Sequence, residues 1–278
     1  MKFAIASLLV SISIASATPV FAQDTIRIAT EGAYKPWSFI DANGKLGGFE
    51  VEFANELCAR IKAKCEITAQ SWDSIIPSLN AGRFDAIIAV LGVTPKRQEV
   101  IDFTIPYAES PNTFVVLKDG PLTNLAGNGE ALSLVNDKEK ADSILATLSK
   151  QMKGKTVGAQ LSSTSAAFLH ERLEGAVTVK EYKTFDQAEF DLLSGRVDAI
   201  ITNVTALRET LKRDDMKGAQ LAGPLFSGKP FTKIAAGLRK EDSALKAQLN
   251  AGIKELSDDG TIKTLSQKWF GFDVTPKS

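Results

Sequence analysis

The segment Leu79-Asn80-Ala81-Gly82-Arg83-Phe84-Asp85-Ala86-Ile87-Ile88 recurs later in the chain as Leu192-Leu193-Ser194-Gly195-Arg196-Val197-Asp198-Ala199-Ile200-Ile201. The same offset pairs Trp72-Asp73 with Phe185-Asp186. In each copy an aromatic and an acidic residue begin a helix, glycine ends it in a left-handed cap, and Asp-Ala-Ile-Ile begins a buried strand. The sequence therefore contains one βαβ-type unit twice.

Each copy is preceded by a loosely matching first strand. Thr25-Ile26-Arg27-Ile28-Ala29 is followed by the polar segment Thr30-Glu31-Gly32-Ala33-Tyr34-Lys35-Pro36-Trp37. Thr156-Val157-Gly158-Ala159 is followed by Gln160-Leu161-Ser162-Ser163-Thr164-Ser165. Open α/β sheets bind ligands in loops at the C-terminal ends of their strands. We therefore expect each unit to supply half of one binding site.

Amphipathic helices alternate with these strands, and the pattern predicts them over residues 49–62, 74–80, 166–173, 188–193 and 243–256. Such alternation indicates an α/β protein with mainly parallel sheets flanked by helices. One long doubly wound sheet is the alternative, but a duplicated unit with its own strand, loop and helix favours two lobes. The polar residues 121–150, free of strand pattern, are predicted to be an insertion on the second lobe, with a helix over residues 137–152.

The first 22 residues have the composition of a secretory signal peptide. They contain one cation, Lys2, an apolar run over residues 3–10, and the small-residue cleavage site Val20-Phe21-Ala22. The apolar run is interrupted by serines and ends at Pro19, so it is shorter than the ~20 residues of a membrane span. We expect cleavage after about Ala22 and a periplasmic mature chain.

The charge balance argues against a polyanionic partner. Lys+Arg and Asp+Glu number 33 each, and removal of Lys2 with the signal peptide leaves a formal net charge of −1. No basic field exists to hold nucleic acid or anionic lipid. The two cysteines, Cys58 and Cys65, are predicted to form a disulfide because the cell envelope is oxidising. A metal pair is the alternative, but it has only His170 to recruit, so neither a metal site nor a cofactor is expected.

A catalytic set is not apparent in the sequence. His170, the only histidine, has a helix-like spacing within residues 166–173 and is predicted to be structural. No nucleophile elbow, phosphate-binding loop or zinc-ligand spacing occurs. The sequence therefore predicts a binding protein with no catalytic residue.

Polar and aromatic residues near the strand ends form a candidate recognition set. Arg97 follows the repeated strand and is suited to hold a carboxylate through two parallel N–H bonds; a solvated arginine at a helix start is the alternative. Glu31 follows the first strand and is suited to a cationic group; an acid at a helix start is its alternative. Tyr34, Trp37 and Trp72 offer faces for an aliphatic or guanidinium stem, and core packing is the alternative for each.

Several motifs together resemble those of a known family. They are Thr30-Glu31-Gly32-Ala33-Tyr34-Lys35-Pro36-Trp37, Gly47-Gly48-Phe49-Glu50, Trp72-Asp73-Ser74-Ile75-Ile76-Pro77-Ser78-Leu79, Thr94-Pro95-Lys96-Arg97, and Asp259-Gly260-Thr261-Ile262 with Trp269-Phe270. The chain resembles the periplasmic solute-binding proteins of polar amino-acid ABC importers over essentially its whole mature length. It looks most similar to the octopine- and nopaline-type opine binders.

The resemblance implies a two-lobed type II periplasmic binding fold that closes by hinge bending. It implies lobe 1 over residues 23–109 and 231–278, lobe 2 over residues 114–225, and hinge segments at residues 110–113 and 226–230. The family's carboxylate-binding arginine corresponds to Arg97, its aromatic clamp to Tyr34 and Trp72, and its side-chain-reading acid to Glu31. The loop after the second lobe's first strand corresponds to Gln160, Ser163, Thr164 and Ser165.

Two departures from the family pattern bear on the ligand. Binders of free basic amino acids usually carry an aspartate for the α-ammonium, and the matching residue here is Asn203. An amide donates as well as accepts, so it suits a substituted amine or a second carboxylate better than a bare ammonium. Ala89, Val90 and Gly92 stand where amino-acid binders often have serines, and Gly92 leaves room for a bulkier substituent; neutral drift is the alternative.

These observations predict a monomeric substrate-binding component that delivers an arginine-derived opine to an ABC permease. A binder of free arginine, lysine, ornithine or histidine is the alternative within the class. From another class, the fold also resembles exported cyclohexadienyl or arogenate dehydratases, for which Glu31 is the candidate acid. A sensory receptor for the same ligand is also compatible with the sequence.

Overall fold

A computed structural model describes residues 25–231 and 233–276, so the predicted signal peptide lies outside the described residues. The strands in chain order are β1 (Ile26–Thr30), β2 (Ala33–Tyr34), β3 (Ser38–Ile40), β4 (Leu46–Gly47), β5 (Cys65–Ala69), β6 (Ala86–Ile87), β7 (Asp102–Ala108), β8 (Asn112–Leu117), β9 (Ala131–Ser133), β10 (Lys155–Gln160), β11 (Val177–Tyr182), β12 (Ala199–Asn203), β13 (Ala219–Ser227) and β14 (Ile234–Leu238). The helices are α1 (Phe49–Arg60), α2 (Trp72–Asn80), α3 (Pro95–Gln98), α4 (Lys138–Gln151), α5 (Thr164–Arg172), α6 (Phe185–Leu193), α7 (Val204–Thr210), α8 (Ser243–Asp258) and α9 (Thr261–Phe270), with a short 3₁₀ turn at Asp214–Met216.

The strands form two main sheets. The first has the order β5-β1-β6-β14-β7 and the second the order β11-β10-β12-β8-β13-β9. A small three-stranded sheet, β2-β3-β4, extends the loop that follows β1. The two separate main sheets exclude the single doubly wound sheet that the sequence left open. We call the first sheet with α1–α3, α8 and α9 lobe 1, and the second sheet with α4–α7 lobe 2.

Each main sheet contains a parallel half that corresponds to one copy of the repeat. In lobe 1, β1 pairs in parallel with β5 and β6; in lobe 2, β10 pairs in parallel with β11 and β12. The remaining half of each sheet is largely antiparallel, because β14 and β8 run against their neighbours. The predicted α/β lobes with parallel strands and flanking helices are confirmed.

The repeated segment folds as predicted in both lobes. Helix α2 is followed by Gly82 at a φ of 71°, and helix α6 is followed by Gly195 at a φ of 66°. Residues with a Cβ avoid this left-handed region, which is why glycine ends both helices. The chain then enters β6 or β12, whose residues are buried. The repeat thus places two equivalent strand ends, one in each lobe.

The predicted insertion folds onto lobe 2 and contains the predicted helix as α4. Although residues 121–150 show no strand pattern in the sequence, Ala131–Ser133 pairs in parallel with β13 at the edge of the sheet. Three residues are too few to show an alternating pattern, and this strand depends on backbone hydrogen bonds to its neighbour.

Cys58 and Cys65 form the predicted disulfide, with an S–S distance of 1.98 Å and a Cα–Cα distance of 6.1 Å. The bond joins the end of α1 to the start of β5, so it pins the helix to the edge strand of lobe 1. The metal-pair alternative is thereby excluded for these two residues. None of the described helices combines the length and apolarity that a membrane span requires.

The chain passes between the two sheets twice, after β7 and after β13. Contacts between the lobes include the Lys35–Glu209 ion pair at 3.6 Å and the Arg208 guanidinium, 4.9 Å from the ring centroid of Phe272. The structure therefore has the two lobes in contact. That these crossings act as hinges at residues 110–113 and 226–230 stays a prediction.

Candidate functional site

A cavity lies between the lobes at the C-terminal ends of their parallel strands. It encloses about 550 Å³ of space outside protein atoms, including its open mouth. The predicted site residues that line it are Glu31, Tyr34, Trp72, Ala89, Val90, Gly92, Arg97, Gln160, Ser163, Thr164, Ser165 and Asn203.

Glu31 follows β1 and is buried against the other lobe. Its Oε1 accepts a hydrogen bond of 2.6 Å from Nε2 of Gln160, the last residue of β10. Burial raises the pKa of Glu31 to about 7, although the bond from Gln160 opposes the shift. A cationic group placed here would favour the charged carboxylate.

Two aromatic residues of lobe 1 reach across the cavity to lobe 2. The Tyr34 hydroxyl lies 2.6 Å from the Thr202 hydroxyl, and its ring meets Phe185 edge-on at 6.1 Å. The Trp72 Nε1 donates to the Leu161 carbonyl over 2.9 Å. Both aromatic residues therefore form walls of the cavity as well as contacts between the lobes.

Arg97 lies in the short helix α3 with its guanidinium over the ring of Trp72, 5.2 Å from the centroid. Its Nη1 donates to the Gly92 carbonyl at 2.8 Å and its Nη2 to the Ser162 carbonyl at 3.0 Å. Burial lowers its pKa to about 10, so it remains a cation at neutral pH. Among the residues that the structure describes, no carboxylate pairs with it. A half-buried arginine bound only by carbonyls is suited to receive an anionic group from a ligand.

The N-terminus of α5 also faces the cavity. Ser163 caps this helix by accepting from the Ala166 N–H at 3.1 Å, and Ser165 Oγ accepts from Asn112 Nδ2 at 2.8 Å. Free N–H groups and the helix dipole favour an anion at such an end. The site therefore offers a second place, besides Arg97, that is suited to negative charge.

The loop after β6 holds an unusual backbone conformation. Val90 lines the cavity at a φ of +48°, a region that a β-branched residue rarely occupies. Its N–H donates to Glu50 Oε1 at 2.6 Å, and the Tyr107 hydroxyl donates to the same oxygen. Glu50 is 1% exposed, and burial raises its pKa to about 7. This acid lies behind the cavity wall and fixes the loop that carries Ala89 and Gly92.

Asn203 ends β12 and caps helix α7. Its Oδ1 accepts from the Ser110 hydroxyl at 2.9 Å, from the Thr205 N–H at 3.0 Å, and from the Thr205 hydroxyl. The carbonyl end of this amide is thus engaged by the protein itself. Asn203 lines the cavity, and its capping role was not predicted; that it binds the ligand stays a prediction.

Trp37 departs from the predicted set because it does not line the cavity. Its side chain is fully buried and packs edge-on against Phe49 at 5.2 Å and against Phe270 at 4.6 Å. Its Nε1 donates to the Thr205 hydroxyl of lobe 2 at 2.6 Å. The polar loop sequence suggested exposure to a ligand, but the indole is large enough to fill the core of lobe 1 instead.

Five cavity residues were missed in the sequence: Ser110, Asn112, Thr202, Phe231 and Ile234. Ser110 and Asn112 lie where the chain crosses between the lobes, and the sequence marked that segment only as a hinge. Thr202 precedes Asn203, so proximity to that residue was the available signal. Phe231 and Ile234 are apolar residues at the second crossing and carry no chemical signature.

No catalytic arrangement is found in the described structure. His170 is exposed and lies 3.0 Å from Glu181, outside the set of residues that line the cavity. Glu31 is the only acid in that lining set. Within residues 25–231 and 233–276, no three potential metal-ligating side chains converge.

Comparisons with known proteins agree with this geometry. Residues 26–272 match the family described as bacterial extracellular solute-binding proteins, family 3. An octopine-binding periplasmic protein of Rhizobium meliloti is 47% identical, with 91% of this chain and 92% of that protein covered. An L-arginine-binding protein of Pseudomonas aeruginosa is 34% identical, with 92% of each chain covered. The solved structure of an ancestral arginine-binding protein bound to arginine has a TM-score of 0.74 at 31% identity, covering 89% of this chain and 98% of that one.

Proposed function

Because the chain belongs to the bacterial extracellular solute-binding proteins, family 3, we propose that it is the exported substrate-binding component of an ABC importer, with an arginine-derived opine as its ligand. Such an opine carries a guanidinium group, a secondary amine and at least two carboxylates. The observation that carries the proposal is the pairing of one buried acid with several anion-binding groups in a single cavity. The relative from Rhizobium meliloti, named for octopine, supports the same assignment.

The charged groups of the cavity fit the proposed ligand at both ends. Glu31 receives the guanidinium, and the aromatic faces of Tyr34 and Trp72 flank its stem. Arg97 binds the amino-acid carboxylate through its guanidinium, while the N-terminus of α5 and Asn203 bind the second carboxylate. Glu31 and Arg97 have opposite charges, so the cavity is suited to a ligand whose own charges are balanced, as in octopine.

A free basic amino acid is the second candidate, and the arginine-binding relatives support it. Its α-ammonium would need an acceptor beside the carboxylate-binding Arg97. Within the lining set, Glu31 is the only acid, and it lies at the end assigned to the guanidinium. A further carboxylate on the ligand supplies an acceptor beside the ligand's own amine, and the arrangement therefore favours such a ligand.

Ligand binding is measurable through the fluorescence of Trp72, which lines the cavity. Titration with octopine, nopaline, arginine, ornithine, lysine and histidine gives the order of affinities, and a Trp72→Phe variant checks that the signal comes from the site. We expect an opine to bind most tightly. If arginine binds at least as tightly as every opine, the opine assignment is wrong.

Glu31 also raises the question of catalysis, because a carboxyl group with a pKa of about 7 is suited to proton transfer. We propose that it serves binding alone, since no second carboxylic acid and no histidine is among the described residues that line the cavity. Incubation with prephenate is expected to release no phenylpyruvate, and incubation with arogenate is expected to release no phenylalanine. Release at a rate that Glu31→Gln abolishes would instead establish a dehydratase.

Export and delivery complete the proposal. The signal-peptide composition of residues 1–22 supports cleavage near Ala22 and a mature chain in the periplasm. The contact between the lobes supports recognition of the closed, liganded form by a permease, and we expect the protein to act as a monomer. Mass spectrometry of the periplasmic fraction gives the mature N-terminus, and light scattering gives the oligomeric state.

A further inference from the structure

The orientation of the Asn203 side-chain amide is fixed by its surroundings. Because the backbone N–H of Thr205 can only donate, the atom that faces it at 3.0 Å must be Oδ1. The Ser110 hydroxyl and the Thr205 hydroxyl donate to the same oxygen. A flipped amide would direct N–H groups at the backbone N–H of Thr205. The amide nitrogen therefore has only one orientation, opposite to this cluster of donors.

A donor in lobe 1, the indole of Trp37, determines which hydrogen bond the Thr205 hydroxyl accepts and which it donates. Indole Nε1 is a donor only, so the hydroxyl oxygen of Thr205 must accept the 2.6 Å bond from Trp37. Its own proton is then free to go to Asn203 Oδ1. Trp37 and Thr205 belong to different lobes and are 0% and 2% exposed, so water does not compete at this contact. A directed chain of hydrogen bonds runs from Trp37 through Thr205 to Asn203.

Asn203 Nδ2 has no hydrogen-bond partner within the described residues, although Asn203 lines the cavity. The Asn203 side chain thus offers a ligand two N–H donors, while its oxygen is already occupied by donors of the protein. An acceptor such as a carboxylate satisfies them, whereas an ammonium group brings further donors to the same place. The hydrogen bonds around Asn203 therefore discriminate between the two chemistries.

We propose that Trp37 and Thr205 are positioning residues for ligand specificity. When the lobes meet, their hydrogen bond directs the Thr205 hydroxyl proton at Asn203 Oδ1, which reinforces the donor orientation set by the Thr205 N–H and so favours a ligand with a second carboxylate over one that places an ammonium there. This proposal rests on the proposed function, since it concerns the same cavity. It adds that closure strengthens the selection, because the Trp37–Thr205 hydrogen bond crosses between the lobes.

The test compares Thr205→Val, which keeps the side-chain shape without the hydroxyl, with Thr205→Ser, which keeps the hydroxyl. Thr205→Val is expected to lower the octopine-to-arginine affinity ratio by up to about tenfold, the effect of losing one hydrogen bond, beyond any loss common to both ligands from the missing contact between the lobes. Thr205→Ser is expected to retain the wild-type ratio of the two affinities. A purely structural role would lower both affinities alike in Thr205→Val, and that result would overturn the proposal.

A second variant guards against misfolding of the first. Trp37→Phe removes the indole donor while keeping a ring, and it is expected to change the octopine-to-arginine ratio in the same direction as Thr205→Val. Side-chain amide signals of Asn203 in ¹H–¹⁵N spectra provide a direct readout, with a downfield shift on octopine binding in the wild type. An unchanged ratio in both variants would overturn the positioning role alone. Preference of the wild-type protein for arginine would instead refute the opine assignment.

Discussion

Gln160 donates a 2.6 Å hydrogen bond from Nε2 to Oε1 of Glu31, and this bond joins the ends of the equivalent first strands of the two lobes. Neither residue is exposed, so the carboxyl group loses water while gaining only one neutral partner. The two copies of the repeated unit thus bury Glu31 at the cavity, and its ionisation depends on whether a cationic ligand is bound there.

Affinity for a guanidino ligand should rise with pH because the pKa of Glu31 is about 7 in the closed protein. The cation favours the ionised carboxylate, so binding releases a proton when the pH lies below that value. We expect the affinity to increase about tenfold between pH 6 and pH 8 and then level off. Calorimetry in buffers of different ionisation enthalpy measures the proton release, and Glu31→Gln should remove it.

The same raised pKa has a consequence for the stability of the ligand-free protein. A carboxyl group whose pKa is higher in the folded than in the unfolded state stabilises the fold at low pH. That contribution is lost as the pH rises from about 4.5 to about 7. Urea unfolding of Glu31→Gln should therefore show a weaker fall in stability over this interval than the wild type. Equal slopes would mean that Glu31 titrates normally.

Asn203→Asp should reverse the ligand preference. An aspartate keeps the oxygen that caps α7 but turns an anionic oxygen toward the ligand, where it attracts an ammonium and repels a carboxylate. We expect the octopine-to-arginine affinity ratio to fall by about 10- to 100-fold. Asn136→Asp adds the same charge at an exposed position and serves as the control. A similar shift in that control would indicate a general charge effect.

Arg97→Ala should weaken the binding of every ligand that carries an amino-acid carboxylate. The guanidinium is held by two carbonyls and has no described carboxylate partner, so its charge is available to the ligand. We expect a loss of about 100-fold for both octopine and arginine, since a charged hydrogen-bonding partner is removed. Lys96→Ala, on the same short helix and exposed, should bind like the wild type.

Glu50→Ala should weaken binding without contacting the ligand, because it releases the Val90 N–H. The loop then relaxes from its positive φ and displaces Gly92, the carbonyl partner of Arg97. Adding Val90→Gly to Glu50→Ala should restore part of the affinity, since glycine adopts this conformation without strain. Ligand titration of Glu50→Ala, Val90→Gly and the double variant measures the coupling between the two residues. If the losses of binding free energy in the single variants add up in the double variant, the role given to Glu50 is wrong.

Replacing both cysteines by serine should lower the free energy of unfolding by about 2–3 kcal/mol, because the bond closes a short loop. Neither residue lines the cavity, so the dissociation constant should change less than about twofold. Urea unfolding and ligand titration of the same sample separate the two effects. A large loss of affinity would indicate that the edge of lobe 1 shapes the site.

The residues that line the cavity could be predicted from the sequence where the repeat determined the backbone. A glycine ends both α2 and α6, and the buried residues that follow each glycine form a strand, so the ends of these strands could be located. Residues that follow neighbouring parallel strands lie at the same edge of the sheet. Arg97 and Glu31 could be predicted as cavity residues because each is a charged residue that follows a strand ending at this edge of a sheet.

Features that depend on three-dimensional contacts were beyond the sequence. Trp37 occupies the core because Phe49 and Phe270, distant in the chain, leave room for an indole there. Glu50 belongs to a motif that the resemblance included, but its bond to Val90 requires knowledge of the loop conformation. Phe231 reaches the cavity only because the second crossing brings it there.

The central claim is that this cavity recognises a guanidino compound with a second carboxylate, and calorimetric displacement tests it most directly. Purified protein, unfolded and refolded to remove carried ligand, is saturated with arginine and titrated with octopine at neutral pH. The proposed site predicts that octopine displaces arginine and binds at least tenfold more tightly, about the effect of one additional hydrogen bond. Failure of octopine to displace arginine would contradict the claim.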